Sequence, residues 1–219
     1  MQRTKAARIA ANIYVGLVLA CMLLPLVIMA GAAFNDTRFP SIYPWKDFTT
    51  RWFETLWKNQ QMQEAALNSL VVALAVVALS VPIGTGAALL LNSLQSRMRP
   101  LLYGLMIAPI LTPGVVIGIS TLLFWRELGV GAGLHLSVLG QVSYIATYVM
   151  LLVLARLQSF DKGLEEAALD LGASHGQVMR RVVFPHLYPA IAVGAILAFF
   201  QSVENYNVTL FTRGSSQTL

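Results

Sequence analysis

Glu204, Asn205 and Tyr206 follow one another at the end of a long apolar run, Val182–Val203. A carboxylate there could pair with an ammonium group, and the phenol could add a cation–π contact. A buried acid costs about 2.5–3.5 kcal/mol at a bilayer centre and less near the interface, and a cavity or a cationic partner would offset that. The plainer alternative is that Glu204 marks a helix end facing water. Thr112 and Pro113, within Leu111-Thr112-Pro113-Gly114, form a second point of interest, because a Pro-Gly step can open a helix toward a pathway. Other chemistry is poorly supplied. His135, His175 and His186 lack the spacing of a metal site, and Cys21 is the sole cysteine, so no disulfide framework can form within the chain. Ser80 and Ser120 are available as nucleophiles, but no positioned base accompanies them.

The elements that must position these groups are membrane helices. Of 219 residues, 57% are hydrophobic and 11% charged, against about 25% charged in a soluble domain. The net charge of +5 sits in short clusters between apolar runs, which suits membrane topology and not a phosphate-tracking face, so nucleic acid is not expected as a partner. A spanning helix needs about 20 apolar residues. Five stretches qualify: Ile9–Phe34, Ala65–Ser96, Pro100–Trp125, Leu128–Ala155 and Val182–Val203. The fourth span is expected to begin after Leu136 and the fifth around Leu187. The first run exceeds the roughly 7–15 residues of a signal-peptide core, which reads as a retained helix. Pro25 and Pro82 read as packing kinks.

Basic residues in the short loops set the orientation. Arg3, Lys5 and Arg8 place the N-terminus in the cytoplasm, followed there by Arg97 and Arg99, then by Arg156, Lys162, Arg180 and Arg181. The outer loop Asn35–Glu64 balances four basic against four acidic residues. Its Trp45, Trp52, Phe53 and Trp57 suit an interfacial aromatic belt, or else part of a docking surface for another protein. Five helices from a cytoplasmic start leave the end Ser215–Leu219 outside, and a sixth helix is expected beyond it.

The loop over residues 158–186 carries the most local information. Leu164, Ala167, Ala168 and Leu171 recur at helical spacing, with Glu165, Glu166 and Asp170 off that stripe. Gly172 permits a tight turn, and Ser174 followed by Gln177 is a capping-box pattern that starts a second helix. A short helix–turn–helix lying under the membrane follows. Its small residues suit close approach by a partner, and they suit equally a linker helix packed on headgroups.

The spacing Glu166-Ala167-Ala168, then Gly172, then Val182 and Pro185, resembles the EAA loop of bacterial ABC importer permeases. Val182 stands where that pattern has isoleucine and Phe184 where it has leucine. Further stretches look like the spermidine/putrescine group of these permeases: Phe34-Asn35, Phe48-Thr49-Thr50-Arg51-Trp52, Asn68-Ser69-Leu70, Arg156–Asp161 and Leu169–Ser174. The resemblance implies an all-α polytopic fold of the type I importer permease, with the whole chain 1–219 as one transmembrane domain of six core helices, five of them present. It implies that the loop, through Glu165, Glu166, Ala167, Ala168, Asp170, Gly172, Ala173 and Ser174, docks into a groove on an ATPase and transmits its opening and closing.

It further implies two ATPase subunits, a second permease subunit (a paralogue or a copy), a periplasmic or extracellular solute-binding protein, and a bacterial inner-membrane location. No Walker-type glycine-rich loop occurs here, so ATP and Mg are expected on the partner ATPase, and this chain is expected to be non-catalytic. The implied solute is a polyamine, taken along Glu204, Asn205, Tyr206, Thr112 and Pro113. That group usually carries an acidic pair where Glu204-Asn205 stands and an acid where Gly114 stands. The two missing carboxylates leave room for another small polar or cationic solute. A secondary transporter is the distant alternative: it predicts ionisable residues in mid-helix, and the first three spans hold no Asp, Glu, Lys or Arg.

Overall fold

A computed structural model describes residues 5–94 and 97–218. Arg3, Ser96 and Leu219, used above, lie outside the described residues. The chain divides into two compact units, Met1–Gln60 and Gln61–Leu219.

The first unit holds helix α1 (Lys5–Ala33), which runs unbroken through Pro25 and is exposed along its apolar length. Such a surface is unsuited to water and suits lipid. After α1 the chain is organised by Asn35, which is fully buried. Its Nδ2 donates to the carbonyls of Ser41 (2.8 Å) and Pro44 (3.1 Å), and its Oδ1 accepts from the Lys46 amide at 2.9 Å. Its own carbonyl accepts from the Trp52 indole at 3.1 Å. Phe34 stacks on Phe48 with ring centres 5.3 Å apart. A short helix α2 (Arg51–Lys58) closes the loop, with Arg51 paired to Asp36 at 2.6 Å. Trp52 is thus a structural pin of this loop, whereas Trp57 is 81% exposed.

The second unit is a bundle around α6. Helix α3 (Gln60–Ser93) continues through Pro82, and α6 (Leu134–Gln158) is the most buried of the candidate membrane spans. Val72, Val76, Ala88 and Leu91 of α3 join Val142, Ile145, Val149, Met150 and Val153 of α6 in one apolar core. At the crossing, a Cβ built on Gly84 would lie 2.5 Å from the Ala146 carbonyl. Only a hydrogen at that position lets the helices meet so closely, which is how membrane helices gain contact where lipid is as apolar as they are.

The third predicted span, Pro100–Trp125, is not one straight helix. It forms α4 (Arg99–Leu111) and α5 (Gly114–Glu127), bent 102° from each other. Pro113 forces its predecessor out of the helical region, and Thr112 is extended, with φ −88° and ψ 129°. The fifth predicted span lies within a run from His175 to Val203. That run comprises α8 (His175–Val178), a π turn (Met179–Val183) and α9 (Phe184–Val203). The Phe184 amide reaches back five residues to Met179 just before Pro185, which has no N–H to continue an ordinary ladder. Between α6 and α8 lies α7 (Lys162–Asp170), and after α9 comes α10 (Tyr206–Thr212).

Candidate functional site

The loop at residues 158–186 is built from local capping signals. Asp161 starts α7, its Oδ1 accepting from the Gly163 amide at 2.9 Å. Helix α7 ends in a Schellman motif. The Gly172 amide donates to Leu169 (2.8 Å), and the Ala173 amide donates to Ala168 (3.1 Å). Gly172 adopts φ +85°, which any Cβ would strain. Ser174 then forms the full capping box. Its amide donates to Gln177 Oε1 at 2.8 Å, and its Oγ accepts from the Gln177 amide at 3.4 Å.

The face α7 turns outward decides what this loop can do. Ala168 and Leu169 pack toward the core, as does Ala173 beyond the turn. Leu164, Ala167 and Leu171 are exposed, Leu171 at 89%. Three of the four residues of the predicted stripe therefore form a bare, shallow apolar ridge, flanked by exposed Glu166 and Asp170. Arg180 and Arg181 are exposed beyond it. The base of the loop is tied shut: Arg156 Nε donates to the His186 carbonyl at 3.1 Å, and the Phe160 and His186 rings meet edge-on at 5.1 Å.

The second candidate region gathers residues far apart in the chain. Helix α9 stops at Glu204, whose carbonyl accepts from the Tyr206 amide at 2.9 Å. Asn205 caps α10, its Oδ1 accepting from the Val208 amide at 3.1 Å, while its Nδ2 donates to the Tyr144 hydroxyl. Helix α10 then packs on α5. A Cβ on Gly114 would lie 3.1 Å from Asn207 Cβ, and one on Gly118 would lie 3.1 Å from the Val208 carbonyl. Helix α5, after the Thr112-Pro113 break, thus lies directly on α10, after Glu204-Asn205.

Not every predicted side chain is free to meet a solute. The Thr112 hydroxyl bonds back to the Ala108 carbonyl at 3.0 Å, and the Asn205 amide is used at both ends. Glu204 and Tyr206 are exposed, and among the described residues Glu204 has no ion pair. Sequence reasoning passed over Gln141 and Tyr144. Gln141 was the easiest to find, as the one amide inside Leu136–Ala155. It is fully buried and bonds to Ser202 and Thr209.

Comparison with known proteins gives this arrangement its family. Residues 80–218 match the family described as binding-protein-dependent transport system inner membrane component. The chain is 31% identical over 197 residues to the spermidine/putrescine transport system permease protein PotC of Escherichia coli (strain K12), covering 90% of this chain and 74% of that one. It is 29% identical over 201 residues to the putrescine transport system permease protein PotI of the same strain, covering 89% and 71%. A bacterial ABC transporter involved in the import of the acidic polysaccharide alginate shares the fold, with a TM-score of 0.73 at 18% identity over 98% of this chain and 78% of that one. With its one bent span and its long apolar helices, the chain belongs to the binding-protein-dependent inner membrane component family: it is a multi-pass permease of the ABC-importer type, akin to the spermidine/putrescine permeases.

Proposed function

We propose that this chain is the membrane-spanning, non-catalytic subunit of an ATP-driven importer that takes a polyamine, putrescine or spermidine, from a binding protein into the cytoplasm. The observation that carries the solute class is Glu204, an exposed carboxylate without an ion pair among the described residues, set at the helix end in a chain whose relatives are named for polyamines. An ammonium group passing the break would be paired there, and Tyr206 would face it from the next turn. The loop at 158–186 serves as the coupling element. Its Leu164–Ala167–Leu171 ridge offers the shallow apolar surface that a groove on an ATPase needs, with Glu166 and Asp170 beside it. Two ATPase subunits would bind ATP and Mg, and a second permease would complete the pathway. The N-terminus would lie in the cytoplasm, as the basic residues of the short loops require.

A second reading keeps the importer and changes the solute to another small polar or cationic molecule. It is favoured by the absence of two acids common in the polyamine group: Asn205 is committed to Tyr144 and to capping α10, and Gly114 is closed over by Asn207. The test is ATP-dependent uptake of labelled putrescine and spermidine by the reconstituted complex, comparing wild type with Glu204→Gln. Uptake that falls in the variant, with the complex intact, supports polyamine import through a pathway carboxylate. Uptake of neither polyamine by the wild type moves the solute to the second reading.

A further inference from the structure

Helix α6 bonds to both α9 and α10 through one side chain. Gln141 Oε1 accepts from Ser202 Oγ on α9 at 2.5 Å, and Gln141 Nε2 donates to Thr209 Oγ1 on α10 at 2.9 Å. Gln141 is completely buried, and Ser202 and Thr209 are each 6% exposed. Two further bonds from α6 lie on either side. Ser137 Oγ meets Thr212 Oγ1 at 2.9 Å, and the Tyr144 hydroxyl accepts from Asn205. Residues 137, 141 and 144 share one face of α6 at helical spacing, so a single stripe reads across the break from one side to the other. Glu204 lies between the two points that Gln141 holds.

Stability does not explain this amide. Hydrogen bonds between membrane helices add little on average, because the unpaired groups find other partners. Ser202 and Thr209 could each bond back to a carbonyl of their own helix. Among the described residues Gln141 is the side chain of α6 that bonds to both α9 and α10, and its loss removes that shared tie. A buried polar contact of this kind is best suited to fixing register.

We propose that Gln141 is a positioning residue for solute recognition. By tying Ser202 to Thr209 it sets the geometry of the break and so the place at which Glu204 presents its carboxylate. The inference rests on the reading of Glu204 as a solute contact. It makes no claim that Gln141 touches the solute.

The test combines Gln141→Met, which keeps the side-chain shape and removes both bonds, with Glu204→Gln, in the reconstituted complex with its ATPase, second permease and binding protein. Two readouts are taken: hydrogen exchange of the Asn205, Tyr206 and Val208 amides, and KM for putrescine and spermidine uptake. Gln141→Met is expected to speed exchange at those amides and to raise KM about tenfold, which is about 1.4 kcal/mol of solute affinity. In the Glu204→Gln background the same change is expected to raise KM less than about threefold, because residues acting through one another are not additive.

Unchanged exchange overturns the proposal whatever the solute is. A tenfold rise that persists in the Glu204→Gln background also overturns it, by showing a general structural effect. Glu204→Gln without effect on its own instead removes the reading of Glu204, while the exchange result still judges the clasp. If Gln141→Met does not assemble, Thr209→Val leaves one bond in place and is expected to move the same amides and KM in the same direction; no movement overturns the proposal.

Discussion

At the scale of single residues, the proposed pathway region is governed by what small side chains let approach. Gly118 meets the backbone of α10, with the Val208 carbonyl and Cα 3.1 and 3.2 Å from a built Cβ. Backbone cannot swing aside as a side-chain tip can. Gly118→Leu is therefore expected to destabilise the permease by about 1–3 kcal/mol, the usual range for overpacking, and to lower its melting temperature in detergent along with uptake. Gly104 on α4 has open space around it, so Gly104→Leu is the control and should change neither. Equal stability of the two variants would remove the α5–α10 contact from the account. The committed Asn205 amide belongs to this scale too: an acid there could still accept from Val208, but it could no longer donate to Tyr144.

At the scale of elements, the proposed coupling loop depends on a turn and a cap. The left-handed φ of Gly172 makes Gly172→Ala strained by roughly 1 kcal/mol, although nothing lies within 4 Å of the added Cβ. Gly172→Trp adds bulk to the same strain and is expected to abolish transport while leaving membrane insertion intact. Normal uptake by the Trp variant would remove the coupling role. Ser174→Ala deletes one half of the capping box and is expected to cost about 1 kcal/mol of local stability, read as faster hydrogen exchange in α8. Both changes act on the positioning of the α7 ridge and not on the membrane helices, so ATP hydrolysis should lose its dependence on solute before the complex falls apart. The π turn after α8 belongs to the same unit, since it sets the register at which the loop enters α9.

At the scale of the whole molecule, the proposed topology makes a simple demand. Phe39 is 74% exposed in the loop after α1, and Leu171 is 89% exposed in the loop after α6. In a Cys21→Ser background, Phe39→Cys is expected to react with a membrane-impermeant maleimide added outside intact cells. Leu171→Cys should react only after the membrane is opened. Labelling of both from the same side would overturn the orientation. Exposed apolar residues along α1 and on the outer faces of α3 and α9 are in keeping with a chain whose surroundings are lipid and other subunits.

The sequence by itself determined whatever depends on a few neighbouring residues. Five apolar runs became four continuous candidate spans and one bent pair, and Thr112-Pro113 marked the bend because the residue before proline cannot stay helical. Gly172 and the Ser174–Gln177 box were legible for the same reason: their bonds close within a few residues of backbone. The tertiary structure decided what depends on distant partners. The α7 periodicity identified a stripe but not which way it faces, because burial is conferred by the core beneath and not by the helix itself. The link between α6 and the final break joins residues 61 and 68 positions apart, and the seat of Gly114 is set by Asn207 on another helix. A buried amide in an apolar run announces that it needs partners, but which partners it finds is settled only when the helices pack.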